Sequence, residues 1–235
     1  MRKVISALAA ACLCAALAAA QAQVNVISEA DRLFSFGGDA ERDRQALALL
    51  DRALAADAGD YQLLWRAARV AYHLGERAPA GGKLREFERG IAHGRRAVGA
   101  RPEGVEGHFW LGANYGGYSD EKGWWAALQT VKKIRVEMET VLRLDPGYDQ
   151  GNAYLALGEL DRQLPRLFGG SLKRALGYFE QGARVAPGNL ELRLALARGY
   201  LDAGRPAEAR RQLDEVVARG DRRAQERARA LLSKL

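Results

Sequence analysis

The sequence predicts an all-α protein built from antiparallel helical hairpins, and three observations carry that expectation. Apolar and alanine positions recur at three- and four-residue intervals almost everywhere after Ile27, the spacing of helices with one buried face. No segment sustains the alternation with β-branched residues that a half-buried strand needs. A 34-residue unit, "LELRLALARGYLDAGRPAEARRQLDEVVARGDRR" from Leu190 to Arg223, can be traced backwards along the chain, so the helices repeat.

Residues 1–22 read as an export leader rather than as part of the fold. Arg2 and Lys3 give a positive start, an apolar run extends from Val4 to Ala20, and "AQA" at Ala20 to Ala22 offers a small-x-small cleavage pattern. The run is alanine-rich, short for a membrane span and lacks a basic stop-transfer flank. Cys12 and Cys14, the chain's two cysteines, both lie inside it, so residues 23–235 are expected to form no disulfide and no thiolate site. Ala9 stands where a lipid-attachment signal before Cys12 wants a leucine-like residue, and Leu8 is one place too far, which disfavours lipid anchoring.

Five hairpins follow. Ala30 and Leu33, then Ala46, Leu50 and Ala53, make a loose first unit. Leu64, Ala67, Ala68 and Ala71 open the second, which ends near Pro102. Leu111, Gly112 and Tyr115 open the third, which ends at "LRLDPGY" with Pro146. The fourth runs from Tyr154, Leu157 and Gly158 to Ala175, Phe179, Gly182 and Pro187. In the fifth, Leu196, Ala197 and Tyr200 share one face of a first helix, Gly204 opens the turn, Pro206 starts a second helix, and Ala209, Leu213 and Val216 face back. Small residues at Ala197 and Ala209 let the two helices approach closely. Such a unit is similar to a tetratricopeptide (TPR) repeat, and five of them predict a TPR-type superhelix over residues 23–235. "DRRAQERARALLSKL" then places Ala224, Ala228, Leu231 and Leu232 on one side and arginines on the other, the pattern of a terminal capping helix.

Units two, three and four exceed 34 residues, and the extra sequence falls between their two helices: "YHLGERAPAGGKLREF", "YGGYSDEKGWWAAL" and "DRQLPRLFGGSLKRA". Equivalent turns of a stacked array share an edge, so these insertions are expected to build a rim. Each carries a glycine pair (Gly81–Gly82, Gly116–Gly117, Gly169–Gly170) that either presents backbone amides or separates two helices.

Charge and motifs narrow the function classes. Removing Arg2 and Lys3 lowers the basic count from 36 to 34 against 29 acids, a net charge of +5. The charges are interspersed, which gives little support to nucleic-acid binding. Phosphate loops, HExxH and G-x-S-x-G are absent, and His73, His93 and His108 fall on different predicted helices without carboxylates at ligand spacing. No catalytic residue, metal site or cofactor is therefore expected.

First helices of a TPR array line its concave side. One column there would be Trp65, Phe109, Leu155 and Leu194, and the next Arg69, Ala113, Glu159 and Arg198, with Tyr72, Arg162 and Asn152 on neighbouring turns. With Asn114 and the rim aromatics Tyr118, Trp124 and Trp125, these supply the candidate binding residues: Trp65, Arg69, Tyr72, Phe109, Asn114, Tyr118, Trp124, Trp125, Asn152, Arg162 and Arg198. Aromatic anchors beside guanidinium groups suit an extended peptide or a partner's amphipathic surface. The alternative is that the same aromatics wedge neighbouring hairpins together.

The block from Val105 to Val217, with "EGHFWLGANYGG", "VLRLDPGYDQGNAYLALGELDRQLPRLFGGSLKRALGYFEQGARVAPGN" and "LRLALARGYLDAGRPAEAR", resembles the T component of TRAP-type transporters. That family consists of bacterial envelope TPR proteins thought to associate with the extracytoplasmic solute-binding subunit. The resemblance implies a periplasmic adaptor without chemistry whose partner is such a subunit. A carrier of a small apolar or carboxylate ligand, and a purely structural envelope protein, stand as the other readings. Whether protomers associate is left open by the sequence.

Overall fold

The structure, a computed structural model, describes Gln21, residues 23–34 and residues 38–235, with the side chains of 124–127 left out. The leader expectation for residues 1–22 thus falls, apart from Gln21, outside the described residues. Among the described residues the regular structure is entirely helical, and no helix is long and apolar enough to cross a membrane. The chain forms two compact units, residues 1–123 and residues 124–235. The division falls after Gly123, inside what the repeat pattern treats as the third hairpin.

The first unit comprises α1 (23–33), α2 (Ala40–Ala56), α3 (Tyr61–Arg77), α4 (Lys83–Ala100) and α5 (Val105–Lys122). Asp39 and Asp60 start α2 and α3 by accepting from the backbone N–H groups of Glu41 and of Gln62 and Leu63, which satisfies donors that have no partner within the helix. Helix α3 packs against α2, α4 and α5. Its apolar stripe (Leu64, Ala67, Ala68, Ala71) is wholly buried, as the repeat register requires. Wholly buried Asp43 on α2 is neutralised by Arg77 of α3.

The second unit comprises α6 (Trp124–Leu144), α7 (Tyr148–Gln163), a 3₁₀ turn (Arg166–Phe168), α8 (Leu172–Val185), α9 (Leu190–Asp202), α10 (Pro206–Arg219) and α11 (Arg222–Leu232). Phe179, Leu192, Leu194, Ala197, Ala209, Leu213 and Val216 form its core. Helix α11 packs on α10 through Ala228 and leaves its arginines outside, as a cap should.

The extra residues of the long units become helix more than loop. Helices α3 to α6 run 17, 18, 18 and 21 residues, against 13 and 14 for α9 and α10. The clearest departure from the sequence expectation is Gly116–Gly117, which lies inside α5 and not in an interhelical insertion. A Cβ on Gly117 would overlap the Phe87 ring, as would one on Gly75 of α3, so glycine on two helices makes the slot that α4 fills. Helix α5 ends at Gly123, whose φ of 88° favours glycine.

Helix α7 opens on three left-handed residues, Asp149, Gln150 and Gly151 (φ 47°, 56° and 72°). Two of them pay the steric cost of a Cβ there, of order 1–2 kcal/mol each. Asn189 holds the segment from α9: its Nδ2 donates to the Gln150 carbonyl (2.9 Å) and to Asn152 Oδ1 (3.0 Å), while its Oδ1 caps Glu191 and Leu192. Asn189→Ala removes cap and tether together and is expected to destabilise the second unit by about 2 kcal/mol. Urea denaturation should show the loss, and amide exchange around 148–153 should accelerate; unchanged exchange there would mean the segment holds itself.

Candidate binding surfaces

In the first unit the structure gathers Trp65 and Arg69 into one corner with three residues from outside the predicted set, Asp31 of α1, Phe34 just beyond it and Arg66 of α3. The Trp65 indole is buried and donates to Gln62 Oε1 (3.0 Å). The Arg66 guanidinium lies 4.2 Å from the Trp65 ring centre and that of Arg69 lies 5.1 Å from it. Arg69 also sits 4.3 Å over the Phe34 ring. Asp31 receives both cations, Arg69 at 2.6 Å and Arg66 at 3.0 Å. The charged half of this corner is therefore engaged by a carboxylate, and the stacked guanidinium planes cover the aromatic half.

The remaining first-unit candidates are packed to different degrees. Half-buried Tyr72 has the rings of His73, Trp110 and Phe87 at 5.2, 5.8 and 6.0 Å. Phe109 is only 5% exposed and meets Trp110 edge to face at 5.0 Å. Asn114 is wholly buried; its Nδ2 donates to the carbonyls of Ala68 (3.0 Å) and Trp110 (2.7 Å), and its Oδ1 lies against Gly90, where a Cβ would collide with it. It ties α5 to α3 and α4. Tyr118 is half-buried with the Lys122 ammonium 5.9 Å from its ring centre. Burial pushes the His73 imidazole down to about 4, helped by the nearby Arg69 charge.

In the second unit, Arg162 on α7 reaches Glu159 (2.9 Å) and Asp202 of α9 (3.0 Å), and Arg198 of α9 lies 3.8 Å from Glu159. Burial opposes the Arg162 charge, but the hydrogen bonds it donates to both carboxylates outweigh that and hold the guanidinium charged. Asn152 bonds Asp149 (2.9 Å) and the Asn189 amide, as part of the tether above. Trp124 and Trp125 begin α6, and their side chains lie outside the described residues.

A rule emerges within each unit. Arg66 and Arg69 with Asp31, Arg162 with Asp202, Arg198 with Glu159 and Arg227 with Glu191 each join one first helix to the next, between 35 and 40 residues apart in sequence. Each exposed rung is worth only about 0–1 kcal/mol, so the ladder sets register more than stability.

Sequence reasoning also passed over Asp161, which is 1% exposed and the most heavily engaged carboxylate of the second unit. Arg135 of α6 donates to its Oδ1 (2.6 Å), and Arg174 of α8 to both oxygens (2.9 Å each). Burial would raise its carboxyl, but the hydrogen bonds from Arg174 and Arg135 prevail and hold it below the ordinary aspartate range. Asp161→Ala should cost about 2 kcal/mol, moderated because both arginines can reach water once released. Thermal melts check this, and a Tm equal to that of the parent would remove Asp161 from the account.

A sequence profile of the TRAP transporter T-component family matches residues 50–234. Solved structures similar to the chain are TPR proteins. One is TTC0263, a thermophilic TPR protein from Thermus thermophilus, with a TM-score of 0.66 and 22% identity over 88% of this chain and 97% of that one. A crystal structure of MamA aligns with a TM-score of 0.58 and 15% identity over 83% and 90% of the two chains. MamA from Desulfovibrio magneticus RS-1 gives 0.54 and 15% over 80% and 87%. At such identities the likeness establishes the TPR-type fold. No curated protein matches.

Proposed function

Because the chain belongs to the TRAP transporter T-component family, we propose that it is an exported periplasmic adaptor that binds the solute-binding subunit of a TRAP-type transporter and does no chemistry itself. The observation that carries this reading is the family match across most of both units, on a fold whose first helices present aromatic and guanidinium groups. The corner of Trp65 and Arg69 is the first-unit contact in this proposal, with half-buried Tyr72 and Tyr118 as further aromatic contacts. In the second unit, Arg162 and Arg198 supply polar contacts that a partner carboxylate can take over from Glu159 and Asp202, with Asn152, held by Asp149 and Asn189, as a further polar contact. Phe109 and Asn114 act by holding α5 in place.

Affinity capture from envelope extracts, with the tagged chain as bait, tests the reading. Enrichment of a TRAP solute-binding subunit is the expected result, and its absence beside efficient recovery of the bait sinks the transporter link. The carrier reading has less support, because the aromatic rings of Tyr72, His73, Phe109 and Trp110 are packed against one another.

A further inference from the structure

The turn between α8 and α9 draws two guanidinium groups onto one neutral oxygen. Arg193 of α9 directs both Nε and Nη2 at the Pro187 carbonyl, each at 3.4 Å, and Arg219 of α10 directs Nη1 at the same oxygen, at 3.3 Å. All three distances exceed the roughly 2.7–3.2 Å of an ordinary N–H···O bond, so one carbonyl serves three donors and serves none of them well. The Arg193 plane is fixed from its other end, where Nη1 donates to Gln212 Oε1 (3.0 Å). Nε and Nη2 form the edge of a guanidinium whose two parallel N–H groups match the two oxygens of a carboxylate. Here that edge meets a single uncharged atom.

The charges are underserved as well. Arg193 has no carboxylate partner among the described residues, and Arg219 has Glu215 at 3.6 Å, with both of those side chains about half exposed. Glu191 is taken by Arg227 (2.9 Å) and Glu180 by the Tyr200 hydroxyl (2.9 Å). From Gln181 to Leu190 the chain carries Arg184 and no acid. The imbalance extends to the whole second unit: residues 23–123 have 14 basic and 15 acidic side chains, whereas residues 124–235 have 20 and 14. Space is present at the turn, since Pro187 and Gly188 are exposed and a Cβ on Gly188 would meet nothing within 4 Å. Asn189 already caps the amides of Glu191 and Leu192, which leaves the guanidinium groups as the donors for a ligand. We propose that Arg193 and Arg219 form a carboxylate clamp: the Nε–Nη2 edge of Arg193 takes both oxygens of an acidic side chain of the solute-binding subunit, and Arg219 donates to one of them. The assignment rests on the adaptor function proposed above and adds a contact separate from Arg162 and Arg198. A carboxylate gains charge-assisted bonds and separates two like charges, while water replaces what the Pro187 carbonyl gives up. A half-exposed pair offers a free anion no enclosure, so a carboxylate delivered by a protein surface, with contacts around it, is the better occupant.

The test has two arms. In the first, the Arg193 Nε–H resonance of the purified ¹⁵N-labelled protein is followed during titration with sodium acetate and, separately, with sodium chloride at equal ionic strength. Acetate should give a saturable shift that chloride does not, and Arg219→Gln should weaken it about threefold or more. In the second, the TRAP solute-binding subunit of the same genome is titrated calorimetrically into the parent, Arg193→Lys, Arg219→Gln and the double variant Arg193→Gln with Arg219→Gln, each first shown to melt as the parent does. The double variant should bind roughly tenfold or more weakly, and Arg193→Lys, which keeps the charge but loses the fork, about threefold or more weakly. Equal responses to acetate and chloride overturn the clamp, as does parental affinity in the double variant; either leaves the adaptor reading standing. A parent that responds to acetate but does not bind the subunit removes the adaptor reading and, with it, the partner assigned to the clamp.

Discussion

Phe179→Ala is expected to cost about 3–5 kcal/mol, the largest loss from any single side chain discussed for the second unit. Phe179 is wholly buried on α8, and its ring fills a slot that exists because Gly158 of α7 has no side chain: a Cβ there would overlap three ring carbons. Gly199 of α9 and Leu176 complete the slot. Gly158→Ala should therefore destabilise by about 1–3 kcal/mol through overpacking, although alanine is the better helix former. The two effects share one cause, so they should not add. With the ring gone, the methyl group at position 158 has room, and adding Gly158→Ala to Phe179→Ala should cost close to nothing. Urea denaturation of the parent, both single variants and the double variant measures the cycle. Additive losses would mean that helix propensity and cavity formation act separately and that ring and glycine do not define a common slot.

The first unit repeats the device with Phe87 between Gly75 and Gly117. Here the sequence was only half legible. Hairpin register was readable because small and apolar residues recur at fixed intervals, and Leu64, Ala67, Ala68 and Ala71, as well as Ala197, Ala209, Leu213 and Val216, are buried where the register puts them. Gly116–Gly117 was not readable as helix, because a glycine pair lowers local propensity and its compensation comes from a ring on another helix. The candidate surface suffers from the same limit. Register places Arg69, Arg162 and Arg198 on first helices and sets Glu159 next to Arg198 in one column, but it does not disclose that Asp31 and Asp202 wait on helices neighbouring Arg69 and Arg162. Nor does it separate Phe109, which is buried against Trp110, from an aromatic that faces solvent. The stretch from Pro165 to Ser171 was legible as extra sequence between two helices, but the exposure of Leu167 was not, because it depends on a turn whose ties run to the Asp161 carbonyl and Arg174.

Lowering the pH from 6.5 to 4 should weaken the first unit by up to about 3 kcal/mol through His73 alone. The imidazole sits on α3 among Phe34, Tyr72 and Trp110, with ring centres at 5.2, 5.2 and 5.5 Å. Burial first, and then the Arg69 charge, hold its folded pKa near 4, against 6.5 for the unperturbed group. A depressed pKa means that the unfolded chain binds the proton first. Above pH 6.5 the group is neutral in both states and the stability is full; between 6.5 and 4 it erodes as the unfolded state protonates; below 4 this group removes no more. Carboxylates such as Asp161, held below their ordinary range, begin to contribute only toward the acid end of the same titration. The discriminating variant is His73→Phe, which suits an aromatic surrounding and cannot titrate. Its stability, followed by tryptophan fluorescence in urea at successive pH values, should be flatter than the parent's between 6.5 and 4 and parallel to it above 6.5. Parallel curves throughout would show that the imidazole takes up its proton inside the folded unit as readily as in water, and that the aromatic cluster opens far enough to let water reach it.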